Sequence, residues 1–163
     1  MALIKVKERG RETVNLGRRN LIINGAMQVA QRGTSSTGIS AGGYYTVDRY
    51  RLAYNGSPDE LRFTQEKSTD APEGFANSLK LTVTTAETTL AADERVRLQQ
   101  RIEGQNLQNL KYGTSNAEYL TISFYVKSNV TGTYGIHLNN ADSTRSVCPS
   151  YTIDAANTWE KKT

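Results

Sequence analysis

Between residues 120 and 127 the side chains alternate strictly. Leu120, Ile122, Phe124 and Val126 are apolar, whereas Thr121, Ser123, Tyr125 and Lys127 carry polar groups. A strand sends successive side chains to opposite faces, so the pattern predicts a strand with one face in a core and one in water. The pattern recurs at 134–139, where Tyr134, Ile136 and Leu138 alternate with Gly135, His137 and Asn139 after a turn that includes Asn129 and Gly132. Together the two segments predict an antiparallel hairpin. Further segments rich in Val, Ile, Thr and Tyr lie at 21–23, 27–31, 47–54, 61–66, 79–84, 96–102 and 147–153, separated by Gly, Asn, Asp and Ser clusters. Strands at this spacing predict an all-β chain built as an antiparallel β-sandwich or barrel. The one helical signal is 105–112, where Leu107 and Leu110 sit three apart before Gly113, enough for one or two turns. Residues 33–43 hold too little apolar material to pack and read as a long loop. The last residues, 159–163, look like the start of another strand, so the sandwich is expected to lack its final strands.

At 163 residues and 37% hydrophobic content the chain can build one core of ordinary size. No run approaches the roughly 18 consecutive apolar residues of a membrane span, so membrane insertion is not expected, and the N-terminus lacks the apolar stretch of a signal peptide. The single cysteine, Cys148, has no disulfide partner in the chain and reads as a half-buried strand residue. His137 is the only histidine and falls on the polar side of its segment. No nucleophile elbow, phosphate-binding loop, dinucleotide fingerprint or zinc-protease motif is present. Asp59 and Glu60, Asp93 and Glu94, and Glu103 fall in predicted turns or at strand ends, where solvation explains them without a glycosidase pair. The expectation is a protein that is not an enzyme and has neither cofactor nor metal. Nine tyrosines against three phenylalanines favour surfaces that are apolar on one side and hydrogen-bonding on the other, as sugar rings require. The candidate glycan-stacking residues are Tyr44, Tyr45, Tyr50, Tyr54, Tyr125 and Trp159.

Charge is unevenly placed. Residues 1–19 contain Lys5, Lys7, Arg9, Arg11, Arg18 and Arg19 against Glu8 and Glu12, whereas the remainder carries 14 basic and 14 acidic residues. The whole formal charge of +4 therefore sits at the front. This predicts an extended basic arm over 1–18, with those six residues as its partner-binding contacts, followed by a neutral sandwich over 19–163. Nucleic acid is not expected as the partner, because the rest of the chain shows no basic face and no aromatic ladder.

The run Arg19-Asn20-Leu21-Ile22-Ile23-Asn24-Gly25-Ala26-Met27-Gln28-Val29-Ala30-Gln31-Arg32-Gly33 resembles the opening of tail-fibre and virion structural proteins of tailed bacteriophages, especially marine and cyanobacterial ones. Tyr45-Thr46-Val47-Asp48-Arg49-Tyr50 follows at the expected distance, then Ser78-Leu79-Lys80-Leu81-Thr82-Val83, Gln100-Arg101-Ile102-Glu103-Gly104, the strand 120–128 and Asn157-Thr158-Trp159. In order and spacing these resemble the strands of galactose-binding-like jelly rolls. Gln28 and Gln31 stand where some such modules carry an acidic residue after Asn24-Gly25, which argues against their structural calcium site. The resemblance implies a virion part located in the phage tail and assembled as a homotrimer. Its arm would attach to a tail adaptor or nozzle protein, with distal parts facing the host. A carbohydrate-binding module for host surface glycans is the alternative.

Overall fold

The computed structural model describes residues 20–56, 60–89 and 91–163, so the expected arm at 1–18 lies outside the described residues. Regular structure among the described residues is β, arranged in antiparallel sheets, apart from two 3-10 turns at Gly104–Asn106 and Gln108–Leu110 where a short helical segment was expected. The chain divides into two compact units, Met1–Glu118 and Tyr119–Thr163, and the expected sandwich spans both.

In the first unit β1 (Ser35–Ile39), β3 (Arg62–Ser68) and β4 (Ser78–Thr85) form a sheet in the order β1-β3-β4, and β2 (Tyr50–Asn55) pairs with β5 (Arg95–Gln100) as a ribbon. Alternation decides the faces. Phe63, Gln65 and Lys67 stand opposite Val83, Leu81 and Leu79, while Glu66 stands opposite Lys80 on the other face and pairs with it at 3.4 Å. Sheet and ribbon meet at Leu52, Ile39 and Phe63, which are 0%, 3% and 9% exposed, with Tyr45, Tyr54, Leu61, Leu81 and Val96 packed around them. Tyr54 of the ribbon meets the Phe63 ring edge-on at 6.2 Å and donates its hydroxyl to the Ile39 carbonyl at 3.3 Å. This packing of one β layer on another is consistent with a β-sandwich.

The 33–43 segment is not wholly a loop, because β1 occupies its middle. Its sequence hides this, since Ile39 is its one buried side chain and Gly38, at φ 66, sits where the register with β3 shifts. An edge strand can be held by its backbone ladder and one apolar anchor, so it does not need the full alternation. Conversely, 21–23 and 27–31 are not strands. Asn24 and Met27 adopt left-handed backbone (φ 58 and 55), and Ile22, Ile23 and Val29 stay at least 41% exposed.

The second unit is a nest of short pairs. β6 (Phe124–Val126) pairs with β11 (Glu160–Lys162), β7 (Gly132–Gly135) with β10 (Ser150–Ile153), and β8 (Leu138–Asn139) with β9 (Ser146–Val147). The expected hairpin between 120–127 and 134–139 is therefore replaced by pairings with later strands. Alternation specifies faces but not partners, and the faces hold over 121–126, where Ile122, Phe124 and Val126 are half-buried and Thr121, Ser123 and Tyr125 are exposed, but not at the ends, where Leu120 is exposed and Lys127 half-buried. The strand itself is shorter than expected because β11 offers only three partner residues. The residues after Trp159 do form a strand. Tyr151 is directly opposite Tyr134 and stacks on it at 5.8 Å, and Phe124 meets Tyr151 edge-on at 5.0 Å. Ile153, 1% exposed, is the buried hydrophobic residue of this unit. Cys148 is exposed rather than half-buried, because it falls between β9 and β10, outside either ladder.

Candidate functional site

Residues 20–32 carry few buried side chains, yet their backbone is tied at several points. Asn24 is the hub. Its Oδ1 accepts the amides of Gln28 (2.9 Å) and Val29 (3.0 Å), and its Nδ2 donates to the carbonyls of Val29 (2.9 Å) and Asp48 (3.1 Å). Asparagine suits this position because it tolerates left-handed backbone and its amide imitates a peptide group. Asp48 completes the loop: its amide donates to the Val29 carbonyl (3.0 Å), its Oδ1 accepts the Gln31 amide (3.1 Å), and Arg32 approaches it at 3.5 Å. Arg32 also lies 5.5 Å from the Tyr44 ring centroid.

Two further ties join this loop to the sheets. The Gln100 side chain on β5 both accepts from the Ile23 amide and donates to its carbonyl, each at 2.9 Å, as a neighbouring strand would. On β3, the Lys67 amide donates to the Thr34 carbonyl at 2.8 Å and its ammonium to the Gln28 carbonyl. Arg49, at φ 77, directs its guanidinium to Glu103 at 2.6 Å, and Glu103 also accepts from Asn106 at 3.0 Å, fixing the first 3-10 turn. The Arg49 hydrogen bond holds the Glu103 carboxyl below the usual range for a glutamate. Thr46 and Gln65 are fully buried. Gln65 Oε1 accepts both the amide (3.1 Å) and the hydroxyl (2.8 Å) of Thr46, pinning the segment before β2 onto β3. The segments 20–33, 45–50 and 100–104 thus come together as one hydrogen-bonded clamp. None of its hub residues (Asn24, Asp48, Arg49, Gln100 and Glu103) was among the site residues expected from sequence. The signal available was an Asn-Gly and an Asp-Arg pair in apolar surroundings.

The six expected arm contacts, Lys5, Lys7, Arg9, Arg11, Arg18 and Arg19, fall outside the described residues. The six aromatic candidates separate. Tyr50 is 8% exposed and burial pushes its hydroxyl up in pKa, so it presents no ring face to a sugar. Tyr45 and Tyr54 pack against the core, with the Tyr45 hydroxyl bonded to the Ala41 carbonyl at 2.7 Å. A side chain at Gly43 would strike that Tyr45 ring at 2.9 Å. Tyr44 is exposed at the clamp. Tyr125 and Trp159 lie together in the second unit. Tyr125 is directly opposite Lys161 across the β6–β11 pair, and the Lys127 ammonium stands 5.9 Å from the Trp159 centroid, so aromatic and cationic groups alternate on one ribbon face.

On the other face of that ribbon, Lys162 bridges Glu160 (2.5 Å) and Asp154 (2.9 Å), and Glu160 accepts the amides of Asp154 (3.0 Å) and Ala155 (2.8 Å). Lys162 holds the Glu160 carboxyl low, and Glu160 and then Asp154 hold the Lys162 ammonium high. His137 is exposed between β7 and β8. Among the described residues no group of three His, Cys, Asp or Glu side chains is placed to hold a metal ion, and no helix is long and apolar enough to cross a membrane.

No family model matches this chain, and neither the curated proteins nor the solved structures contain a significant match to it.

Proposed function

We propose that the chain is a structural component of a bacteriophage tail, of tail-fibre type. Its basic N-terminal arm attaches it to an adaptor or nozzle protein, and a jelly-roll body contributes to host attachment as a homotrimer. The observation that carries this reading is the clamp. The segments that resemble tail-fibre openings are built into one hydrogen-bonded support around Asn24, Asp48 and Gln100, and in the sequence that support directly follows a segment of net charge +4. A charged arm without a fixed root would pay a larger ordering cost on docking, whereas a pinned root limits that cost to the arm. A protein lacking residues 1–17 should fail to enter particles while its far-ultraviolet circular dichroism stays that of the full chain. Normal incorporation of the deletion would refute the reading.

A second reading, host-glycan binding, draws support from the β6–β11 face. Tyr125 and Trp159 offer ring surface, and Lys127 and Lys161 offer donors to sugar hydroxyl or carboxylate groups. Binding on a glycan array that Trp159→Ala removes would support it, and no array signal from the intact chain would end it.

A further inference from the structure

Beyond residue 19 the chain is neutral as a whole, but the β2–β5 ribbon does not spread its charge evenly. In the register Arg51↔Gln99, Ala53↔Arg97 and Asn55↔Arg95, these six residues share the face opposite Leu52, Tyr54, Val96 and Leu98. Arg101 follows at the next alternate position along the chain. This corrects the expectation that no basic face exists outside the arm, because period-two geometry collects arginines whose charge a sum over the sequence cancels. The face is open at its ends and covered at its centre: Arg95 and Arg101 are exposed, Arg51 and Arg97 are half-buried, Ala53 is 2% exposed and the Arg97 Nε is buried. Among the described residues none of the four takes part in an ion pair, and Arg97 instead bonds neutral Asn55 at 2.7 Å. Of the acids near it in sequence, Glu94 accepts the Ala91 amide at 2.8 Å and Glu103 pairs with Arg49. Like charges gathered on one ribbon face repel, and a counter-charged partner relieves that repulsion.

The geometry points to this arginine face, through its exposed Arg95 and Arg101, as a docking surface for an acidic protein surface. The inference rests on the tail-attachment reading and names a second contact within it. The exposed Arg95 and Arg101 are the groups that carboxylates of a partner reach, since guanidinium groups take carboxylates bidentately, while Arg97 stays with Asn55. Gln99 and Asn55 supply neutral hydrogen-bonding groups between them. No aromatic residue shares the face, so it lacks the stacking platform that single-stranded nucleic acid uses.

The test measures binding of the full chain to fluorescent poly-L-glutamate and, separately, to a short DNA duplex. Three proteins are compared with the parent: Arg95→Glu with Arg101→Glu, the milder Arg95→Gln with Arg101→Gln, and a charge-matched control, Lys80→Glu with Arg145→Glu. Exposure of Arg95 and Arg101 allows the fold to persist, which circular dichroism checks. At about 0.15 M salt the reversal should weaken polyglutamate binding about tenfold and the glutamine pair about threefold, with the control within about twofold. Equal weakening in reversal and control overturns the proposal, as does no weakening. Tighter binding to DNA than to polyglutamate also overturns it, by assigning the face to phosphate. The protein lacking residues 1–17 separates this proposal from the attachment reading. Its residual polyglutamate binding should still depend on Arg95 and Arg101, whatever that deletion does to particle incorporation, and loss of the dependence overturns the independent role of the face.

Discussion

Ile39, Val47, Tyr50, Leu52, Ala53 and Phe63 are all buried in the first unit, while in the second Ile153 alone of the described hydrophobic residues reaches that state. The second unit relies instead on the Tyr134, Tyr151 and Phe124 rings and on the Lys162 network around the turn at 154–157. It also leaves Leu138 and Val147, directly opposite each other, 40% and 63% exposed. The contrast separates two tasks. Apolar packing and buried hydrogen bonds hold the first unit together, and the second unit leaves more of its apolar side chains on the surface.

The largest expected effect therefore lies at the layer junction. Leu52→Ala removes a fully buried side chain between sheet and ribbon and should cost about 3 kcal/mol in urea unfolding. A much smaller loss would mean that the two layers are not tightly packed. Asn24→Ala should cost about 2 kcal/mol, from lost loop hydrogen bonds and a left-handed backbone that alanine resists. Asn24→Gly, which keeps the backbone freedom, should cost less, and the reverse order would remove the clamp from the account.

The smallest effect is electrostatic and belongs to the second unit, where Trp159 fluorescence is a local reporter. Glu160 has its carboxyl held low, so its contribution is complete above the ordinary glutamate value of 4.5 and is lost as pH falls through the lower folded value. Lys162 is held high, so its contribution is complete below 10.5 and is lost as pH rises through the higher folded value. The urea midpoint read at Trp159 should accordingly be flat through neutral pH and fall at both extremes, and Glu160→Gln should flatten the acid side. An unchanged acid limb in that variant would show that the network does not support the turn.

Much of this was legible in the letters. Alternation located β2, β3, β4 and β5 to within a few residues, because each sends an apolar side chain, Leu52, Phe63, Leu81 or Val96, to one core. It failed where other forces decide. The strand β1 has one buried anchor and is held by its ladder, and 21–31 looked like strand because its apolar residues do not reveal the left-handed turn at Asn24. The partners of β6 and β7 were missed because a pattern of period two is the same whichever strand lies alongside. The arginine face escaped for a related reason: a charge total has no geometry, and only the register of β2 with β5 aligns Arg51, Arg95 and Arg97.

Amide hydrogen exchange of the full chain, resolved by peptide, tests the division of labour most directly. Peptides covering β2 and β3 should retain protection for the longest times, followed by the Asn24 loop, while those covering β8 and β9 exchange orders of magnitude faster. Equal protection across the two units would contradict the account, because it would require a second core that the burial of Ile153 alone does not provide.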